Sequence, residues 1–329
     1  MCPATLAQSS TSDRTWFKPR RESEPLGTQY LGTWNVEGLR GDSRIKLTEI
    51  TRTMIAQRID ILAIQETQLH DSEYFEQDGF MVCMSGEPDK EKRSVAGVGF
   101  LVAPWARSAT VAFRAISSRL ASLRVRVQHG VLTILSVYAP QSGYEYEVRQ
   151  AFFADLLRAV RPTTQHSTTI VLGDLNAKLL QRRPGEETYI GRHLFVADGL
   201  RSSLHRHQIS NRQLLLEHCV ATDMAIASTF FDTPPEQRVS YRNLGVVPMD
   251  PDITPEKFAQ IDHVLCHTSA LPWVRLCRSH RDVALNSHHY LMTAAIGIQF
   301  QIKSTRAKNH IDKASVRDQT IQKEFTRRF

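Results

Sequence analysis

The 329-residue sequence has only five cysteines, Cys2, Cys83, Cys219, Cys266 and Cys277, with no pair at C-x-x-C spacing. That odd, scattered set excludes a zinc ribbon and a disulfide framework, and predicts free, mostly buried thiols in a reducing compartment. No uninterrupted apolar run of about 18 residues occurs, so no membrane association is expected. The first 27 residues lack the apolar core of a signal peptide. Internal repeats and low-complexity tracts are also missing. Charge of one sign is scarce where it would matter most. The net charge is +7, but residues 303–329 hold 8 Lys and Arg against 3 Asp and Glu, and residues 1–27 hold 4 against 3. The stretch between them, with 29 against 28, carries only +1. The basicity therefore says little about the body of the chain. The tail is the expected source of non-specific phosphate contacts.

The whole chain has the ordinary apolar content, 41%, of a globular protein long enough to bury a sizeable core. Residues 1–27, rich in Ser, Thr, Pro and charge, read as a disordered leader, 28–302 as one body, and 303–329 as a basic, linker-like tail. Short β-branched runs at 59–64, 95–102, 120–127, 131–138, 168–172 and 261–265 predict strands. The runs 120–127 and 131–138 are separated by Gln128, His129 and Gly130 and predict a hairpin. Helical spacing appears at Leu47, Ile50 and Met54, at Val148, Phe152, Leu156 and Val160, and through 215–219. The class is therefore α+β, with two packed, mixed, largely antiparallel sheets flanked by helices. A soluble, intracellular, monomeric protein is expected.

The chemistry-bearing residues fall at the ends of the apolar runs. They are Asn35 in GTWNVEGL, Gln65 and Glu66 in DILAIQET, Tyr138 in SVYAPQSG, Asp174 and Asn176 in TTIVLGDLNA, Asp262 in QIDHVLC, and His288 and His289 in LNSHHYLMTAAI. A lone Asp after a strand is ordinarily a turn former. Asp262 is different, because a carboxylate inside an apolar run needs a partner, and an imidazole is a natural one. Six such positions in order, all at strand ends, point to a site, since strand ends on one edge of a sandwich converge.

In that order the motifs resemble the endonuclease/exonuclease/phosphatase superfamily of metal-dependent phosphodiesterases, over about residues 30–300. More closely, LAIQET, VYAP, GDLNAK, LLLEHCVATDMAIASTFF and QIDHVL are similar to the endonuclease domain of non-LTR retrotransposons. The tail segment KASVRDQTIQKEFTRRF resembles the linker that leads towards a reverse transcriptase in such elements, which implies a truncated copy or a domesticated single domain. The resemblance implies a four-layer α/β/β/α sandwich and a DNA endonuclease, of nicking or apurinic type, that uses Mg²⁺ or else Mn²⁺ and reaches the nucleus. Glu66 would be the principal metal ligand, with Asn35 beside it supplying an amide oxygen to the metal or a contact to the phosphate. Asp174 or His289 would take the proton of the attacking water, and Asp262 would fix the His289 tautomer and raise its pKa. Tyr138 would offer its hydroxyl to the phosphate or leaving oxygen. Asn176, two residues beyond Asp174 on an extended chain, would donate to a phosphate oxygen.

One position departs from the family pattern. Ser287-His288-His289 stands where Ser-Asp-His is usual, so His288 occupies a metal position with a side chain poorly suited to Mg²⁺. The expectation is weakened or altered metal use. Asn211, Ser240 and Tyr241 fall where the family places substrate contacts, and Arg182, Arg183, Arg201, Arg206 and Arg242 on the expected rims. His193, His205 and His207 have the composition of a metal cluster but no standard spacing. A small-molecule or lipid phosphoesterase, and a nucleic-acid-binding remnant weakened by His288, remain as other readings.

Overall fold

The computed structural model describes residues 27–39, 43–91, 94–160, 167–195 and 206–301. The expected tail and, apart from Gly27, the expected leader lie outside these residues, as do Arg201, His205 and the side chains of Arg206 and His207.

Fifteen strands and three α-helices are arranged along the described residues. β1 (Gln29–Asn35) leads through α1 (Ser43–Gln57) into β2 (Ile61–Gln65), then β3 (Ser72–Gln77), β4 (Phe80–Ser85) and β5 (Val98–Val102). The second half begins with β6 (Thr110–Ser117), β7 (Leu120–Val127) and β8 (Gly130–Tyr138), followed by α2 (Tyr146–Val160) and β9 (Ser167–Asp174). After α3 (Arg206–Thr222) come β10 (Met224–Ile226), β11 (Tyr241–Arg242), β12 (Phe258–Ala259), β13 (Asp262–His267), β14 (Val274–His280) and β15 (Leu291–Ile296).

One sheet has the order β14-β15-β1-β2-β5-β4-β3 and the other β10-β13-β9-β8-β7-β6, with β11 and β12 forming a separate ribbon. Among the strand pairs of the described residues, β1 with β2 and β8 with β9 run parallel. Each parallel pair is joined by one of the first two helices, as a crossover requires. The core between the sheets includes Leu31, Phe100, Leu123, Ile134, Leu172 and Val264. Leu47, Ile50 and Met54 of α1 pack on the outside of the first sheet against Trp34, Leu62 and Leu101. Phe152, Leu156 and Val160 of α2, with Leu215 and Cys219 of α3, cover the second against Leu135, Val171 and Leu265. These are the four layers expected. Burying each such side chain contributes roughly 1.5–3 kcal/mol, and this packing rather than intrinsic propensity supplies most of the helices' stability.

The differences in detail have physical causes. The hairpin closes one residue tighter than expected, since Val127 pairs with Gly130. Val148 is exposed, because α2 turns Arg149 inward, where its guanidinium donates to Tyr144 O (2.9 Å) and Asn211 Oδ1 (3.3 Å). The cysteines among the described residues are free and buried. No helix among those residues is long and apolar enough to cross a membrane.

Candidate active site

The two parallel pairs set the site. Register places Asn35 of β1 opposite Gln65 of β2, just before Glu66, and Tyr138 of β8 opposite Asp174 of β9. β13 runs antiparallel to β9 with Asp262 opposite Asp174. Six strand ends from two sheets therefore open on one cleft of about 560 Å³, lined by Glu37, Glu66, Asp174, Asn176, Lys178, Tyr241, His288 and His289 among others. Gly173 makes the β8–β9 approach possible, because a Cβ there would lie 2.0 Å from Val137 O.

At the centre, one ligand atom each from Glu66, Asp174 and His289 lies within 4.8 Å of the others. Asn35 ties the carboxylates together, its Nδ2 donating to Glu66 Oε1 (2.8 Å) and Asp174 Oδ2 (3.1 Å). Its Oδ1 accepts from the Glu37 N–H (3.1 Å), so the amide here is a bridge between carboxylates rather than the ligand expected. His289 Nδ1 lies 2.9 Å from Asp262 Oδ2, and its Nε2 lies 3.8 Å from Asp174 Oδ2. Asp262 is held in turn by Ser240, whose Oγ accepts from the backbone N–H groups of Ile261 and Asp262, both at 2.9 Å.

Burial and neighbouring charge set the protonation. Burial, reinforced by Asp262, pushes the Asp174 carboxyl up to about 7, while His289 and the N–H groups of Asn176 and Asn35 resist. Burial alone would lower the His289 imidazole, but Asp262 and Asp174 override it and hold the ring at about 9. The Tyr138 phenol, hydrogen-bonded to Glu66, is pushed far above its usual range by burial and then by that carboxylate, so it stays protonated. The Arg119 guanidinium lies 4.8 Å from the centre of its ring.

The donor set fits a divalent cation. Two carboxylates reach one point at a cleft wall, the number that Mg²⁺ commonly takes while keeping several waters. His289, held as an imidazolium, is better suited to donate a hydrogen bond than to ligate.

Several expected roles change. His288 does not join the central group. Its Nδ1 lies 2.9 Å from Glu37 Oε2, and the same oxygen accepts its backbone N–H (3.0 Å). Glu37 was the residue that sequence reasoning missed; its signal is the carboxylate two residues beyond Asn35 in WNVEG. Asn176 is not on an extended chain: its φ is +47°, and its Nδ2 donates to Ala139 O (2.8 Å), although it still lines the cleft. Asn211 does not face the cleft. It is fully buried, and its Nδ2 holds Pro140 O (2.9 Å) and Asn176 O (3.1 Å). Ser240 is buried behind Asp262, for the hydrogen-bonding reason above. Arg242 is spent inside the fold on Val246 O and Ser287 O. Tyr241 does stand in the cleft wall, its ring centre 4.9 Å from that of His289. His193 Nδ1 lies 3.1 Å from Asp232 Oδ1, while His205 and the side chain of His207 lie outside the described residues.

A sequence model of the Endonuclease/Exonuclease/phosphatase family matches residues 32–284. Craniofacial development protein 2 of Bos taurus is 24% identical over 279 residues, 84% of this chain and 42% of its own length. The chain thus spans less than half of that relative. Among solved structures, the AP endonuclease LMAP of Leishmania major superposes with a TM-score of 0.57 at 15% identity, covering 85% of this chain and 92% of that one. The catalytic domain of Xenopus laevis APE2 gives a TM-score of 0.60 at 16% identity, covering 84% and 94%. The strand-end motifs, the paired sheets and the matched span agree: the chain belongs to the Endonuclease/Exonuclease/phosphatase family.

Proposed function

We propose that this protein is a metal-dependent phosphodiesterase that cuts DNA as an endonuclease, by nicking or at apurinic sites, and works in the nucleus. The observation that carries the reading is the meeting of Glu66, Asp174 and His289 within 4.8 Å at the cleft, with Asp262 behind His289. Glu66 would hold the cation, Mg²⁺ or Mn²⁺, which when bound neutralises charge on the phosphoryl oxygens, and Asp174 would face it across the attacking water. Asp174, pushed up to about 7, is a proton acceptor matched to neutral pH and suited to the attacking water. His289, as imidazolium, donates from Nε2 towards a phosphoryl oxygen, while Asp262 fixes the ring through Nδ1. Tyr138 keeps its proton and can donate to the leaving oxygen. Asn35 spaces the two carboxylates so that they present oxygens to one point.

The choice of DNA is supported by the structural relatives, named as AP endonucleases, and by the resemblance of the motifs to retroelement endonucleases. A weakened enzyme that mainly binds nucleic acid is favoured by one observation, the engagement of His288 with Glu37 where the family has Asp. Nicking of supercoiled plasmid with Mg²⁺ or Mn²⁺ separates these readings. Glu66→Ala is expected to lower nicking at least about 100-fold, since even outer partners of a metal site are worth 10–100-fold. Wild type and Glu66→Ala behaving alike would sink the enzyme reading. Faster release of phosphate from inositol phosphates or sphingomyelin would move it to another substrate class.

A further inference from the structure

The cleft gathers Glu37, Glu66 and Asp174 to meet a polyanion, and one lysine also lines it. Lys178 is half-buried, and no hydrogen bond or ion pair to its ammonium occurs among the described residues. Burial lowers its pKa, with no carboxylate close enough to offset the loss of water. A long, flexible cation normally swings to solvent or to the nearest carboxylate. Here the backbone that carries it is fixed. The carbonyl before it, Ala177 O, lies 3.0 Å from His263 Nε2, and the carbonyl after it, Leu179 O, accepts from Arg212 Nε (2.7 Å). Arg212 is itself locked in a buried pair with Glu186 (2.5 Å). The segment is thus pinned on both sides, with an unspent ammonium presented to the cleft two residues past Asn176.

We propose that Lys178 grips a phosphate flanking the scissile one, so that it selects polynucleotides over simple phosphoesters. This rests on the phosphodiesterase reading above. Lys178 lines the same cleft as Glu66 and Asp174, and no carboxylate contributes to the shift of its ammonium. That charge would be free to meet a neighbouring phosphate of an extended strand while the scissile group occupies the centre. A point charge with no fixed partner recognises a phosphate without reading sequence, so Lys178 would add affinity and chain preference rather than site preference.

Two measurements on the full chain test this. The first is binding of a short DNA duplex in Ca²⁺, by fluorescence anisotropy over a series of salt concentrations. Lys178→Ala should weaken binding about 5-fold and reduce the slope of log K against log salt by about 0.9, the value of one phosphate contact, and Lys178→Arg should restore both. The second is the ratio of plasmid nicking to hydrolysis of bis(p-nitrophenyl) phosphate, which has no flanking phosphate. That ratio should fall about 5-fold in Lys178→Ala. An unchanged slope, or both substrates losing rate in parallel, would overturn the proposal. Wild type that binds the duplex with the expected slope but hydrolyses neither substrate would overturn the phosphodiesterase reading instead.

Discussion

Asp262→Asn changes one buried charge and almost no volume, so it tests the electrostatics of the site directly. Asp262 Oδ2 lies 2.9 Å from His289 Nδ1, and both side chains are buried. Burial acts to lower the imidazole, yet Asp262, aided by Asp174 and Glu37, holds it at about 9 against an ordinary 6.5. That difference is a preference of about 3 kcal/mol for the imidazolium. In the Asn variant burial is opposed by more distant carboxylates only, so the ring should titrate near or below its ordinary value. At pH 7.5 the imidazolium then falls from nearly all of the protein to about a tenth, and kcat should fall at least about 10-fold from protonation alone. The alkaline limb of the kcat profile should move from about pH 9 to below 7. Asp262 also helps burial hold Asp174 up, so the acid limb should move below 7 as well. Both limbs belong to the coupled cluster rather than to single residues.

The linkage has a definite sign. His289 has a raised folded-state pKa, so its contribution to stability is full below 6.5 and is lost as pH rises through about 9. Wild type should therefore lose up to about 3 kcal/mol from this group across that window, and the variant should not. The assays are plasmid nicking against pH, urea unfolding against pH, and NMR titration of the His289 ring. A variant with uniformly lower kcat but an alkaline limb still near 9 would refute the reasoning, leaving Asp262 as a group that only orients the ring.

His288→Asp should raise turnover with Mg²⁺ and make the melting temperature depend more steeply on Mg²⁺ than in wild type, because a carboxylate beside Glu37 needs a cation between them. An unchanged rate and an unchanged melting response would mean that the position is bypassed. His218 on α3 is buried, has no hydrogen-bond partner for either ring nitrogen among the described residues, and is lowered by burial to about 4. Its folded-state pKa is depressed, so stability is full above 6.5 and falls by up to about 3 kcal/mol as pH drops towards 4. His218→Leu should flatten that part of the urea-unfolding profile; parallel profiles for the two proteins would show that the ring is solvated after all.

Much of the site was legible because its residues end strands, and strands of short apolar runs are easy to read. Glu66, Tyr138, Asp174, Asp262 and His289 meet where an ordered set of strand ends predicts. The weaker readings share a cause, which is hydrogen bonding between residues far apart in the chain. Asn211 and Ser240 look like substrate contacts until their partners, Pro140, Asn176, Ile261 and Asp262, are seen to consume them. Val148 fits the apolar stripe of α2, but Arg149 finds carbonyl and amide partners inside and takes the buried place. β3 and β6 escaped notice because SEYFEQ and TVAFRAIS form largely exposed edges with no clean alternation. Glu37 was passed over because it lies beyond the strand end, where a carboxylate usually shapes a turn.

The backbone of the cleft supports the same conclusion from a separate direction. Glu37, Glu66, Gln68 and Asn176 all line it, and all four have left-handed φ values, between +46° and +56°. Asn tolerates that region, but for Glu and Gln it costs about 1–2 kcal/mol each. The surrounding structure enforces it. Gly38 N and Leu39 N donate to Glu66 O (2.6 Å) and Thr67 O (2.8 Å), while Thr67 N and Gln68 N donate to Gly97 O (3.0 Å) and Ala96 O (2.7 Å). The loop after β1 is thereby sewn to the loop after β2, and that loop to the segment before β5. A fold selected for stability alone would have glycine at such positions, or straighter turns. Bending them with carboxylate-bearing residues turns Glu37 and Glu66 into a cleft where Asp174 already resists ionisation. Strain and like charge concentrated on one small volume mark a site kept for function rather than for stability.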